Sequence, residues 1–146
     1  MKASFSSALF QELPIVGILR GFTLGQMTEI VRAALRGGLR NIEITMNTPD
    51  AARQLREAVT VAEGRLNIGA GTVINMALLD QALAAGAAFV VTPTVEPKVV
   101  AECVELKIPV FPGAFSPTEI VRAWELGATM VKVFPAESVG PAIFAL

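Results

Sequence analysis

The sequence predicts an α/β fold of the (β/α)8 barrel type, reduced here to about six βα units. Three observations carry this reading. Short apolar runs recur at nearly even spacing, the segments between them have helical periodicity with fitting caps, and two runs put polar side chains on one face and aliphatic ones on the other. Strict strand–helix alternation implies a parallel sheet. An open doubly wound sheet makes both strand faces mostly aliphatic, whereas a barrel turns one face inward, where polar groups can converge.

The runs are 14–20 (PIVGILR), 41–46 (NIEITM), 67–73 (NIGAGTV), 89–93 (FVVTP), 109–113 (PVFPG) and 130–135 (MVKVFP). Their starts lie 27, 26, 22, 20 and 21 residues apart, which leaves room each time for a strand, a helix and two short loops. Met27, Ile30, Val31, Ala34 and Leu35 recur at helical spacing, and Gly37-Gly38 closes that helix. Thr48 before Pro49 reads as an N-cap followed by a first-turn proline. Asn75 caps a helix over 76–85 that stops at Gly86. Ser116-Pro117-Thr118-Glu119 reads as a capping box for a helix ending at Gly127. Residues 1–13 read as a short amphipathic N-terminal helix, and Gly140-Pro141 opens a sixth βα helix.

In the second run Glu43 shares a face with Asn41 and Thr45, opposite Ile42 and Ile44; in the sixth, Lys132 shares one with Met130 and Phe134, opposite Val131 and Val133. Six units fall about two short of closing an eight-stranded wall, which needs roughly 200 residues or more. The expectation is one partial barrel domain over 1–146, with an open six-stranded sheet as the alternative.

Composition narrows the chemistry. With 53% hydrophobic and 17% charged residues, the chain can bury a sizeable core. Its net charge of −1 and the lack of a basic patch argue against nucleic acid. The longest uncharged run, 81–95, has 15 residues, short of the roughly 20 that a membrane span needs. Cys103 is the only cysteine, so no internal disulfide forms and a cytoplasmic setting is the default. Histidine and tyrosine are absent, which excludes Ser-His-Asp and Cys-His pairs, histidine bases and histidine metal ligands.

Glu43 and Lys132 are the only Glu and Lys inside the strand-like runs. Two readings stand side by side. One is a buried salt bridge, or two unrelated strand-end charges. The other is an amine nucleophile with a carboxylate acid/base, since desolvation frees a lysine amine to attack carbonyls. Arg20, at the end of the first run, suits an anchor for a carboxylate or phosphate, or is a solvated strand-end charge. GAGTV lacks the third glycine of a dinucleotide fingerprint. Its two glycines instead suit close approach by a ligand or a neighbouring backbone. Thr72 offers a hydroxyl at that strand's end. Cys103, spaced with Val99 and Val100, and Trp124, with Ile120 and Val121, read as core packing.

In order along the chain, ILRG (18–21), IEITMNTP (42–49), IGAGTV (68–73), VVTP (90–93), FPG (111–113) and VKVFPAESVGP (131–141) resemble the 2-keto-3-deoxy-6-phosphogluconate, 2-keto-3-deoxy-6-phosphogalactonate and 4-hydroxy-2-oxoglutarate aldolases. The resemblance implies a class I aldolase on a (β/α)8 barrel, a homotrimer that needs no metal or organic cofactor. It would cleave a 2-keto-3-deoxy-6-phospho sugar acid to pyruvate and glyceraldehyde 3-phosphate. It places Lys132 as the Schiff-base amine, held dry between Met130 and Phe134, and Glu43 as the acid/base. Thr72 would contact the pyruvate carboxylate and Pro93 line the site. Asn47 stands where many phosphogluconate aldolases have an arginine, so Arg20 would supply the positive charge, a pairing that leans towards the phosphogalactonate branch. Family members carry two further βα units with glycine-rich, phosphate-binding loops, which leaves the phosphate site incomplete here. The rivals are a phospho-sugar epimerase or isomerase with Glu43 as base, and a non-catalytic assembly module.

Overall fold

The computed structural model describes residues 4–141 and 143. Its elements run α1 (Ser7–Glu12), β1 (Val16–Leu19), a 3-10 turn (Leu24–Gln26) into α2 (Met27–Arg36), β2 (Asn41–Thr45), α3 (Ala51–Ala62), β3 (Asn67–Gly71), α4 (Met76–Ala84), β4 (Val90–Thr92), α5 (Pro97–Glu105), β5 (Val110–Ala114), α6 (Pro117–Glu125) and β6 (Lys132–Val133). Every predicted strand is present: the first four are shortened, the fifth is shifted by one residue at the same length, and the sixth is cut to two residues. Residues 1–3 of the predicted N-terminal helix and most of the helix after Pro141 lie outside the described residues.

The strands pair in parallel in the order β1-β2-β3-β4-β5-β6. A doubly wound sheet reverses its order at a switch point; this one does not. It also curls, because residues of β1, β2, β4, β5 and β6 line one cavity. The architecture is a wall of parallel βα units.

Two cores lie on its two sides. Outside, Ile42, Ile44, Ile68, Val90 and Val110 pack against Met27, Val31, Leu55, Leu79 and Val99 of the helices. Inside, Phe89, Val91 and Phe111 pack with Phe5, Val16 and Met130. Ring centroids of Phe5 and Phe89 are 5.8 Å apart, and those of Phe89 and Phe111 5.4 Å. Gly69 makes room for this cluster: a Cβ there would lie 2.5 Å from Phe89 Cε2.

The first residues of β2 and β3 hold the N-terminal segment. Asn67 donates to the Ser6 carbonyl, accepts from the Ser6 N–H and donates to Asn41 Oδ1, while Asn41 donates to the carbonyls of Leu13 and Ile15. So α1 covers the N-terminal ends of the strands, and their C-terminal ends face away from it.

The caps at Asn75 and Ser116 form as expected. Two expectations do not hold. Thr48 does not cap α3: Asp50, left-handed at φ 58°, is the N-cap, and the Thr48 hydroxyl bonds to Gly21 and Thr45 instead. Trp124 and Val121 are not core: they are 52% and 56% exposed, and Ala123 is what α6 buries. Cys103 is buried as expected. No helix among the described residues is long and apolar enough to cross a membrane.

Candidate active site

Glu43 lies mid-strand in β2, its side chain on the inner face and the residue 3% exposed. The two aliphatic neighbours, Ile42 and Ile44, go to the outer core, as period-two alternation requires. Lys132 opens β6 opposite Gly113 of β5. Both side chains line one cavity of about 230 Å3, with Ile18, Val91, Phe111 and Phe10 among its apolar walls.

Burial pushes the Glu43 carboxyl above its ordinary value of 4.5, while the charges of Lys132 and then Arg20 pull the other way. None of the described ion pairs includes Glu43, Lys132 or Arg20. No direct ion pair joins Glu43 to Lys132, and the acid and the amine face one apolar space without being locked together.

Lys132 is half-buried rather than dry. β6 is only two residues long at this point, and Phe134 stands 41% exposed beside it. The ammonium lies 4.9 Å from the Phe134 ring centroid, a cation–π contact carried by the spacing of two along one face.

The other candidates follow their strands' last residues: Arg20 after β1, Asn47 after β2, Thr72 after β3, Pro93 after β4. They share the C-terminal rim, where such folds bind ligands, and none lines the cavity itself. Arg20 and Asn47 are exposed; Thr72 and Pro93 are half-buried. Thr72 has φ 57°. That conformation is strained for a β-branched residue, on the order of 1–3 kcal/mol. Gly113 lets the end of β4 come close, since a Cβ there would lie 2.2 Å from the Pro93 carbonyl oxygen.

One contributor had no signal in the sequence, and three residues have roles other than those expected. Phe10 closes the cavity from α1, a role that a helix distant in sequence does not announce. Gly69 and Gly71 make room for the side chains of Phe89 and Glu43 rather than for a neighbouring backbone. Thr48, in the turn after β2, ties itself to Gly21 in the loop after β1 rather than capping a helix.

A parallel α/β wall with an amine and a buried carboxyl in one cavity, beneath a rim of strand ends, defines the class as part of a barrel with its candidate site inside the wall. The chain belongs to the KDPG and KHG aldolase family, whose model matches residues 7–146. It is 41% identical over 135 residues to a 2-dehydro-3-deoxy-phosphogluconate aldolase of Treponema pallidum (strain Nichols), covering 90% of this chain and 64% of that protein. It is 37% identical over 130 residues to a probable 2-dehydro-3-deoxy-6-phosphogalactonate aldolase of Rhizobium meliloti (strain 1021), covering 89% and 61%. Among solved structures it is similar to a KDPG aldolase from Legionella pneumophila with pyruvate captured as a covalent carbinolamine, with TM-score 0.85, 28% identity, and 94% of this chain and 68% of that one covered. The chain thus spans less than two thirds of the length of these two curated relatives.

Proposed function

We propose that this chain carries the Schiff-base centre of a class I aldolase, a lyase that cleaves a 2-keto-3-deoxy-6-phospho sugar acid to pyruvate and glyceraldehyde 3-phosphate. The observation that carries the reading is the meeting of Lys132 and Glu43 in one cavity without an ion pair between them.

The chemistry follows from the two groups. The Lys132 amine adds to the C2 ketone, and the carbinolamine loses water to give an iminium. The C4 hydroxyl proton passes to Glu43, the C3–C4 bond breaks, and its electron pair enters the iminium to form an enamine. Glyceraldehyde 3-phosphate leaves. Glu43, now protonated, returns a proton to C3, and water releases pyruvate from Lys132. A carboxyl whose pKa is raised by burial holds a proton more readily than an exposed one, which suits a group that must both take and return one.

Arg20 and Thr72 hold the substrate carboxylate, Pro93 lines the approach, and Asn47 contributes a neutral polar group on the rim. The strained φ of Thr72 supports a ligand-facing role. The reading includes one domain with the wall of a (β/α)8 barrel, a cytoplasmic setting and a homotrimer. Val121 and Trp124, exposed on α6, supply apolar surface for a second copy.

Relatives of both the phosphogluconate and the phosphogalactonate kind match over the same part of the chain, so the proposal covers both C4 epimers. The test is pyruvate release from each epimer, compared with Lys132→Met. Release that depends on Lys132 supports the aldolase. C4 or keto–aldose interconversion without pyruvate would favour an epimerase or isomerase with Glu43 as base.

A further inference from the structure

Three buried polar side chains take no part in the reaction described above. Thr45 is 0% exposed, Thr48 7% and Gln54 1%. Buried polar groups are unfavourable unless hydrogen-bonded, so their partners show what they hold.

Their bonds converge on one short segment. The Gly21 N–H donates to Thr48 Oγ1 at 3.2 Å. Thr48 Oγ1 lies 3.0 Å from Thr45 Oγ1, and the Thr45 hydroxyl donates to the Leu19 carbonyl at 3.4 Å. Gln54 donates from Nε2 to the Phe22 carbonyl at 2.9 Å and to the Pro49 carbonyl at 2.8 Å. The backbone on both sides of Arg20 is therefore gripped from the end of β2 and from α3. The Arg20 side chain is itself exposed and belongs to none of the described ion pairs. Gly21, at φ 75°, takes the turn that this grip requires.

We propose that Thr48 and Gln54 are positioning residues that fix the backbone of residues 19–22 so that the Arg20 guanidinium meets the carboxylate of a 2-oxo acid bound on Lys132. The inference rests on the Schiff-base reading above and assigns these side chains a task in recognition, not only in folding. A bidentate arginine contact is sensitive to small displacements, so a loosened loop weakens carboxylate binding before it affects the amine. Lys132, on β6, is held separately.

The test traps imines with borohydride using two probes: pyruvate, and acetone, which keeps the ketone and lacks the carboxylate. In each case the Lys132 amine and the ketone lose water to form an iminium, and borohydride supplies the hydride that fixes it as a secondary amine. Thr48→Val should raise the half-saturating pyruvate concentration about fivefold, the scale of one lost hydrogen bond, and leave acetone trapping unchanged. Gln54→Leu should act in the same direction, and Thr48→Ser should restore the wild-type value. In Arg20→Met the added Thr48→Val change should have no further effect, since the guanidinium it positions is gone. Equal weakening of both probes, or an additive effect on Arg20→Met, would overturn the proposal and leave a purely structural network. No adduct on Lys132 with either probe, from folded wild-type protein, would overturn the Schiff-base reading and this inference with it.

Discussion

Gly71 of β3 leaves its side-chain space to the Glu43 carboxylate of β2: a Cβ at residue 71 would lie 2.7 Å from Glu43 Oε1 and 2.9 Å from its Cδ. The small residue on one strand and the acid on the next form a single unit. A methyl group there must displace the carboxyl from its place in the cavity.

Gly71→Ala should therefore impair the site more than the fold. The carboxylate lies at the end of a flexible side chain, so the strain falls at the mild end of about 1–3 kcal/mol, while Lys132-dependent turnover drops at least tenfold. Gly69→Ala should behave differently, because its Cβ would meet the Phe89 ring inside a packed aromatic cluster at 2.5 Å. Its loss should appear in thermal unfolding. Paired measurements of unfolding and turnover on the two variants check the distinction.

Glu43→Gln should change how stability varies with pH. Burial holds the Glu43 carboxyl above its ordinary 4.5 in the folded chain. Between that value and its raised folded value the native state binds more protons than the unfolded one, so Glu43 makes stability fall as pH rises. The contribution is fully present below the unfolded value and is lost as pH passes through the folded one. Relative to wild type, Glu43→Gln should gain stability as the pH is raised from about 4.5 towards neutrality. Urea midpoints across that range measure the difference; a flat difference would contradict it.

Cys103 should be inert in the folded chain. It is fully buried in the outer core, and burial, with a smaller push from Glu102, raises its thiol to about 12. The thiolate is the reactive form, so labelling by a disulfide reagent at pH 8 should proceed only as fast as the chain opens. Complete labelling within the dead time of mixing would contradict the placement.

Val121→Ser with Trp124→Ser should leave the protomer's stability within roughly 0.5 kcal/mol, since both side chains are more than half exposed. If α6 meets another copy, light scattering should show a lower mass for the double variant than for wild type. An unchanged mass would place the assembly contact elsewhere.

The strands were legible because buried parallel strands read as short apolar runs, and the caps at Asn75 and Ser116 were legible because their chemistry is local. Glu43 and Lys132 stood out because a charge inside an apolar run needs a reason. The misreadings share a cause. Thr48-Pro49 has the local pattern of a cap, yet the hydroxyl bonds to Gly21, 27 residues away, which no local rule sees. Trp124 follows helical periodicity on α6, but periodicity identifies an apolar face and not what covers it. The dryness of Lys132 depends on the length of β6 and on the exposure of Phe134, both tertiary properties.

The central claim is that Lys132 is an amine that forms an imine inside the Glu43 cavity. Incubation with pyruvate and borohydride, followed by peptide mass spectrometry, tests it most directly. A stable reduced pyruvyl adduct is expected on Lys132 and should be lost in Lys132→Met. Folded protein that yields no adduct, or yields it on surface lysines such as Lys98 and Lys107 instead, would contradict it.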